Sequence, residues 1–272
     1  MISNIGLKME SAKKSTLRLS LGVLMTVLSV ALVLLGVAIV RINAVSPVYE
    51  GYCLNVPVIL YHHIQPMAEA KAKGQQDWTI DNEIFDSQME YLSSKGYNTI
   101  SAGQLANALI TKSGVPTKPI VITVDDGYSD FYTYAYPILQ KYNLVASLAI
   151  PAGRIGDSKH MSWDQLNQMV GSGKIFIYSH TFTHANLTKV STEKAQYEVL
   201  MAKRQLQQFL GNTSNVFFYP YGAVNNSVIS VLSANDYQVG YTTEPGTVQC
   251  DSFLMKLHRI EIGNSSLASY GL

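Results

Sequence analysis

The chain predicts an α/β fold, an incomplete (β/α) barrel of seven or eight strands preceded by one transmembrane helix. Three observations carry this reading. Short apolar, β-prone segments alternate with longer amphipathic ones from Val56 onward, two of those segments end in clusters of chemistry-bearing side chains, and a long uncharged run lies near the amino terminus. Such alternation belongs to parallel sheets, whose strands are joined by helical crossovers and display their chemistry at their carboxyl ends.

Leu19 to Val40 holds 22 residues without a charge. As a helix it extends about 33 Å, against a bilayer core of about 30 Å. Lys8, Lys13, Lys14 and Arg18 precede it against Glu10 alone. The positive-inside rule therefore places residues 1–18 in the cytoplasm, residues 19–40 in the membrane and everything later outside the cell. The rival is a cleaved signal peptide with Ile42-Asn43-Ala44 as its cleavage site, but the apolar run exceeds the usual length of about 7 to 15 residues. A linker at 41–55 leads to residues 56–272, enough for one domain with a sizeable core and tight for two.

Within that domain, strands are expected at Val56-Tyr61, Ile120-Val124, Val145-Ile150, Ile175-Ser179, Val216-Tyr219, Val239-Thr242 and Leu257-Ile262, with a short one at Asn98-Ile100. Helices are expected at Asn82-Lys95, at Ser101-Thr111 with a serine cap and a Ser113-Gly114 stop, and at Tyr132-Tyr142, Ser162-Val170, Thr192-Leu210 and Asn226-Ala234. In the fifth, Ala195, Val199, Ala202, Leu206, Phe209 and Leu210 form an apolar stripe, with Lys194, Glu198, Lys203 and Gln207 elsewhere. The polar stretch Gln65 to Asp77 reads as a mobile loop over the site mouth or a plain solvated connection.

Of 20 Lys+Arg and 19 Asp+Glu, five basic residues and one acidic residue fall in the first 41 positions, leaving 15 against 18 outside. That balance argues against a nucleic-acid or anionic-polymer binder held by charge. Repeats, zinc-finger spacing, a phosphate loop, a dinucleotide fingerprint and a G-x-S-x-G elbow are all missing from the sequence. Cys53 and Cys250 are the only cysteines, each shortly before a strand-like segment. Either they form a disulfide, as an extracytoplasmic compartment allows, or both are free thiols.

The chemistry concentrates in two runs. Ile120-Val121-Ile122-Thr123-Val124 suits a buried strand and ends in Asp125-Asp126-Gly127; Lys174-Ile175-Phe176-Ile177-Tyr178 is strand-like and leads to Ser179-His180-Thr181-Phe182-Thr183-His184. One carboxylate can bind a metal while its neighbour acts as base, and histidines four residues apart can reach one ion. Asp-Asp-Gly alone is usually a turn. Both runs follow buried-looking strands in a chain with six histidines, and together they favour a hydrolytic site over a purely structural role for the pair.

These positions resemble the polysaccharide deacetylases of carbohydrate esterase family 4, the NodB-homology domain, over most of Val56 to Ile262. Thr123-Val124-Asp125-Asp126-Gly127 looks like the family's T-F-D-D-G, His180-Thr181-Phe182-Thr183-His184 like its H-[ST]-x-x-H, and Phe218-Tyr219-Pro220-Tyr221-Gly222 like its R-x-P-Y segment. The resemblance implies a deformed (β/α)7–8 barrel, Asp125 as base, Asp126, His180 and His184 as ligands of a divalent metal, with zinc expected, and the Tyr221 backbone N–H as an oxyanion donor. Two departures stand out. The third motif lacks its arginine, for which Arg259 is the candidate replacement, and where the late motif usually ends in L-x-H-D the chain reads Leu257-His258-Arg259, so His258 is followed by an arginine and not by an acid. Leu60-Tyr61-His62-His63-Ile64 is similar to the Y-H-x-I opening of the extracytoplasmic poly-N-acetylglucosamine deacetylases, which makes His62 the expected general acid, His258 the runner-up and His63 a loop or supporting residue.

Leu187 and Trp163 are further candidates to wall an acetyl methyl or a sugar face, and Thr181 to brace the loop between the histidines, although all three residue types also serve ordinary packing or turns. The expected activity is removal of N-acetyl groups from an extracellular N-acetylglucosamine polymer of the β-1,6-linked type, with partners that include the membrane and a polysaccharide synthase or exporter. Peptidoglycan deacetylation or O-acetyl ester hydrolysis is the alternative chemistry, and a catalytically silent carbohydrate-binding wall protein the alternative class.

Overall fold

Strands of two to seven residues, the longer ones apolar runs, build the sheet, and the helices between most of them bring successive strands back in the same direction. In chain order the elements are β1 (Cys53–Asn55), β2 (Val58–Tyr61), β3 (His63–Ile64), α1 (Met67–Lys73), β4 (Thr79–Ile80), α2 (Asn82–Ser94), β5 (Asn98–Thr99), α3 (Ala102–Thr111), β6 (Pro119–Asp125), α4 (Tyr136–Lys141), β7 (Ala146–Ile150), α5 (Trp163–Gly171), β8 (Ile175–Ser179), α6 (Thr192–Leu210), β9 (Val216–Phe218), α7 (Asn226–Ser233), β10 (Val239–Tyr241), β11 (Val248–Cys250) and β12 (Ile260–Glu261). The structure, a computed structural model, describes residues 25, 26, 28–30, 32, 49–211 and 214–272. The expected cytoplasmic segment, most of the expected membrane span and the start of the linker lie outside the described residues. Among the described residues, no helix is long and apolar enough to cross a membrane.

The main sheet runs β10-β9-β8-β7-β6-β2-β12, all parallel, with β5 pairing alongside the start of β6. It curls. Leu257 bridges in parallel to Tyr241 of β10, while Ile260 pairs with Ile59 of β2, so the last segment touches both edges. The strands are buried on both faces, as parallel sheets are. Ile59, Ile122, Leu148 and Ile177 share one apolar layer with Phe85 and Met89 of α2, Leu166 of α5 and Ala202 of α6. Val58, Val121, Phe218 and Tyr241 share the other with Leu105 and Leu109 of α3. Capping boxes, Ser101 with Gln104 and Ser162 with Gln165, start α3 and α5 by satisfying backbone donors that a helix leaves open.

Four expectations are corrected by the fold. The stretch from Gln65 to Asp77 is neither open loop nor plain connection: it contains α1 and a 3-10 turn at Gln76–Trp78, and it is tied down by Gln65 Nε2 to Gln75 Oε1 at 3.0 Å and Lys73 Nζ to Gln65 Oε1 at 3.1 Å. The helix expected over Tyr132-Tyr142 begins as a wide π turn at Phe131–Ala135 before α4, where Pro137 has no N–H to continue a regular ladder. The strand expected over Leu257-Ile262 keeps regular pairing only at Ile260–Glu261. Glu198, expected off the apolar stripe of α6, is fully buried. The two cysteines form a disulfide, because antiparallel β1 and β11 place Cys53 directly opposite Cys250.

Candidate active site

Asp125 ends β6 and Asp126 follows it. Consecutive side chains of a straight strand face opposite sides, so the chain must turn for both carboxylates to share one cleft. It does so through positive φ at Asp126 (71°) and Gly127 (72°). Gly127 is required twice over, since a Cβ there would stand 3.0 Å from Ile150 Cγ2.

The histidine loop leaving β8 is bent in the same way, with φ of 66° at Thr181 and 64° at His184. Such conformations cost a residue with a side chain about 1–3 kcal/mol and persist where the surroundings impose them. Glu198 of α6 is the imposing group: its carboxylate accepts from the Phe182 N–H at 3.1 Å, the Thr183 N–H at 2.8 Å and the Thr183 hydroxyl at 2.8 Å, and pairs with Lys194 at 2.9 Å. Thr181 Oγ1 accepts the Ala185 N–H at 3.0 Å, the brace expected of it.

These turns bring Asp126, His180 and His184 together, one ligand atom from each lying within 4.8 Å of the others. Asp126 Oδ1 is 3.1 Å from His184 Nε2 and 3.6 Å from His180 Nε2. It is also buried without a hydrogen-bond partner. The His180 Nδ1–H donates to the Phe218 carbonyl at 2.9 Å, which leaves the lone pair on Nε2 facing the cluster. Burial lowers His180 to about 4, outweighing the neighbouring carboxylates, so the ring is neutral at pH 7. Burial alone would raise Asp126, but the approach of His184 and the charge of His180 hold its carboxyl far below the usual range. Ligands of one tetrahedral ion at about 2.0–2.1 Å stand about 3.3 Å apart, so an orphaned carboxylate oxygen and two imidazole lone pairs fit a divalent cation.

Asp125 is held from the other side. Arg259 Nη1 and Nη2 donate to its two oxygens at 2.7 and 2.8 Å, while Arg259 Nε donates to the Thr242 carbonyl at 2.8 Å. The guanidinium lies over the Phe218 ring, 5.0 Å from its centroid, in the place where the third motif lacks an arginine. Burial pushes Asp125 up, yet Arg259 first and then His180 bring its carboxyl below its ordinary value. It is ionised at neutral pH.

His62 lines the cleft with Asp125, Asp126, His180, His184 and Tyr221. His63 does not offer a free nitrogen, since Nδ1 donates to Asp130 and Nε2 accepts from Gln75 at 3.2 Å, and its ring stacks on Tyr128. His258 is a correction: it lies outside the cleft lining, its Nδ1–H donating to the Val248 carbonyl at 3.0 Å and its ring against Phe253. Neighbouring side chains on an extended segment point to opposite sides, so with Arg259 turned to Asp125, His258 is turned away. Tyr221 takes φ 61° in a turn after β9 and sets its exposed ring edge-on to His184 at 4.7 Å. Trp163 stacks on Phe209 between α5 and α6, and Leu187 is buried beneath Phe217 and Tyr219; neither lines the cleft.

A family model described as polysaccharide deacetylase matches residues 112–240, a span that contains Asp125, Asp126, His180, His184 and Tyr221 in order. The chain carries a polysaccharide deacetylase domain. YxkH of Bacillus subtilis, whose name places it in the same family, is 29% identical over 209 residues, 76% of this chain and 71% of that one. The poly-β-1,6-N-acetyl-D-glucosamine N-deacetylase of Escherichia coli O157:H7 is 26% identical over 250 residues, 76% of this chain; the alignment takes in 36% of the longer protein, so the present chain spans about a third of it. Among solved structures, the Streptococcus pyogenes deacetylase PplD, in complex with acetate, superposes with a TM-score of 0.73 at 25% identity over 79% of this chain and 97% of that one. The deacetylase is therefore a hydrolase, and its family is metal-dependent, in keeping with the Asp126, His180 and His184 cluster.

Other residues at the deacetylase cleft escaped sequence reasoning. Gln75, Trp78 and Tyr128 line it, and Glu198 braces it from behind. Tyr128 carried a usable signal, standing directly after Asp-Asp-Gly. Gln75 lies in the Gln65 to Asp77 stretch read as a loop over the site mouth, and its place in the lining agrees with that position; Trp78 carried no signal, because only the pairing of β3 with β4 brings it there.

Proposed function

We propose that this deacetylase removes N-acetyl groups from an N-acetylglucosamine polymer outside the cell, of the β-1,6-linked type, releasing acetate. The observation that carries the reading is His62, from the Tyr61-His62-His63-Ile64 opening, standing in one cleft with Asp125 and the Asp126, His180 and His184 cluster. The named relatives support the substrate class. Anchorage in the membrane by Leu19 to Val40, with a synthase or exporter as neighbour, completes the proposal.

A divalent cation, zinc by preference for two imidazoles and a carboxylate, would polarise the acetamide carbonyl and make water acidic. Asp125 accepts the proton of the attacking water, its carboxylate fixed in orientation by the Arg259 fork. As water oxygen bonds to the carbonyl carbon, the developing oxyanion is met by the Tyr221 N–H; one such donor is typically worth about 10²-fold or more in rate. The carbon–nitrogen bond then breaks while His62 delivers a proton to the departing nitrogen, without which amine is a poor leaving group. Acetate and a free amino sugar result.

The test is acetate release by the purified full-length protein, with zinc and after chelation, on β-1,6-linked N-acetylglucosamine oligomers and on peptidoglycan fragments. Release from the β-1,6 oligomers that stops with Asp125→Asn is the expected result. Release confined to peptidoglycan fragments would overturn the substrate assignment, and no release from either would overturn the activity.

A further inference from the structure

Trp78 is 61% exposed at the lip of the cleft, with its indole edge-on to the His62 ring and centroids 5.5 Å apart. Its place is set by the backbone. β3 and β4 pair in parallel with His63 opposite Thr79, so the residues just before them, His62 and Trp78, stand side by side. The turn is pinned: the Trp78 N–H donates to the Gln75 carbonyl at 3.1 Å, the Thr79 hydroxyl to the same carbonyl at 2.8 Å, and Asn264 Nδ2 to the Thr79 carbonyl at 3.0 Å. Beyond Trp78 opens a second cavity of about 330 Å³, lined by Gln76, Asp77 and Asn264, which shares His62, Trp78 and Glu261 with the main cleft of about 500 Å³. Trp78 is thus the ridge between two connected hollows, one holding Asp125 and the Asp126, His180 and His184 cluster, the other adding the polar side chains of Gln76, Asp77 and Asn264 beside apolar Ile80 and Ile262.

An exposed aromatic ring backed by amide and carboxylate side chains matches a pyranose, which has apolar C–H faces and a rim of hydroxyls. We propose that Trp78 stacks on the sugar unit next to the one being deacetylated, whose hydroxyls reach Gln76, Asp77 and Asn264. This rests on the polymer deacetylase reading of the same site. Binding energy from the neighbouring unit would hold the reacting acetamide against Asp125 and His62, so short substrates lose turnover as well as affinity.

The experiment compares full-length wild type, Trp78→Phe and Trp78→Ala on β-1,6-linked N-acetylglucosamine of one, two and five units and on 4-nitrophenyl acetate. Trp78→Ala is expected to lower kcat/KM on the pentamer at least tenfold, Trp78→Phe to retain most of it, and ester hydrolysis to fall by a much smaller factor than pentamer turnover. Unchanged pentamer turnover in Trp78→Ala overturns the subsite, as does an equal loss on the small ester. Pentamer binding to Asp125→Asn, measured calorimetrically with and without Trp78→Ala, reads the subsite apart from turnover: tenfold weaker binding supports it, and equal or undetectable binding in both proteins overturns it. Wild type that binds the pentamer and releases no acetate would sink the deacetylase reading alone.

Discussion

Replacing Arg259 by Met should destabilise the protein and disarm its site. The side chains of Arg259 and Asp125 are 0% and 3% exposed, and the pair is bidentate at 2.7 and 2.8 Å. Methionine fills a similar volume but leaves a buried carboxylate without its cation, a change that typically costs about 3–5 kcal/mol. For a domain of this size, about 2–4 °C of Tm per kcal/mol translates to roughly 6–20 °C. The melting of chelated protein measures this without a metal ion to compensate the charge. Arg259→Lys keeps the charge and loses the fork, so it should fall between wild type and Met. The decisive comparison is the double mutant: Asp125→Asn with Arg259→Met removes both charges and should recover much of the lost stability, giving a coupling of about 2 kcal/mol or more. Additivity within about 0.5 kcal/mol would refute the argument, as would a Met variant that melts within about 2 °C of wild type.

Three more outcomes follow from the geometry. His62→Ala should slow acetate release by about 10²–10⁴-fold while His258→Ala stays within a few-fold, and the reverse order in steady-state assays would reassign the general acid. Glu198 is held below its ordinary value of 4.5; burial opposes this, and Lys194 with the Thr183 and Phe182 contacts overcomes it. Its stabilisation is therefore complete above that value and is lost as pH falls through the lower folded value, so the urea midpoint gap between wild type and Glu198→Gln should be widest near pH 7 and narrow toward pH 3. The Cys53–Cys250 bridge spans 197 positions, and in the chain-entropy model its reduction costs about 5 kcal/mol; reduced and alkylated protein should unfold at clearly lower denaturant than oxidised protein, and coincident midpoints would count against that account.

Much of the site could be read in the sequence because its signals are local. Two strands made of consecutive apolar residues, each leading into carboxylate or imidazole side chains, place Asp125, Asp126, His180 and His184 at one end of a sheet before any contact is known. The helix pattern held for the same reason, with Thr192–Leu210 found as expected. Glu198 shows where periodicity stops informing: its position in the helix is clear, but a buried carboxylate makes sense only once the bent His180–His184 loop offers it three donors. The Gln65 to Asp77 stretch failed likewise, since its polar composition suited solvent while its order comes from side chains that bond to one another.

The sequence by itself thus determined the class of fold, the positions of the strands that carry chemistry and which acidic and imidazole side chains would gather at their ends, Asp125, Asp126, His180 and His184. Only the tertiary structure decided which way Arg259 and His258 point, that Cys53 meets Cys250, and that Trp78 stands beside His62. Each of these depends on register between segments far apart in the chain. A shift of one residue in an extended strand sends every side chain to the opposite face, and nothing local in the sequence fixes that shift.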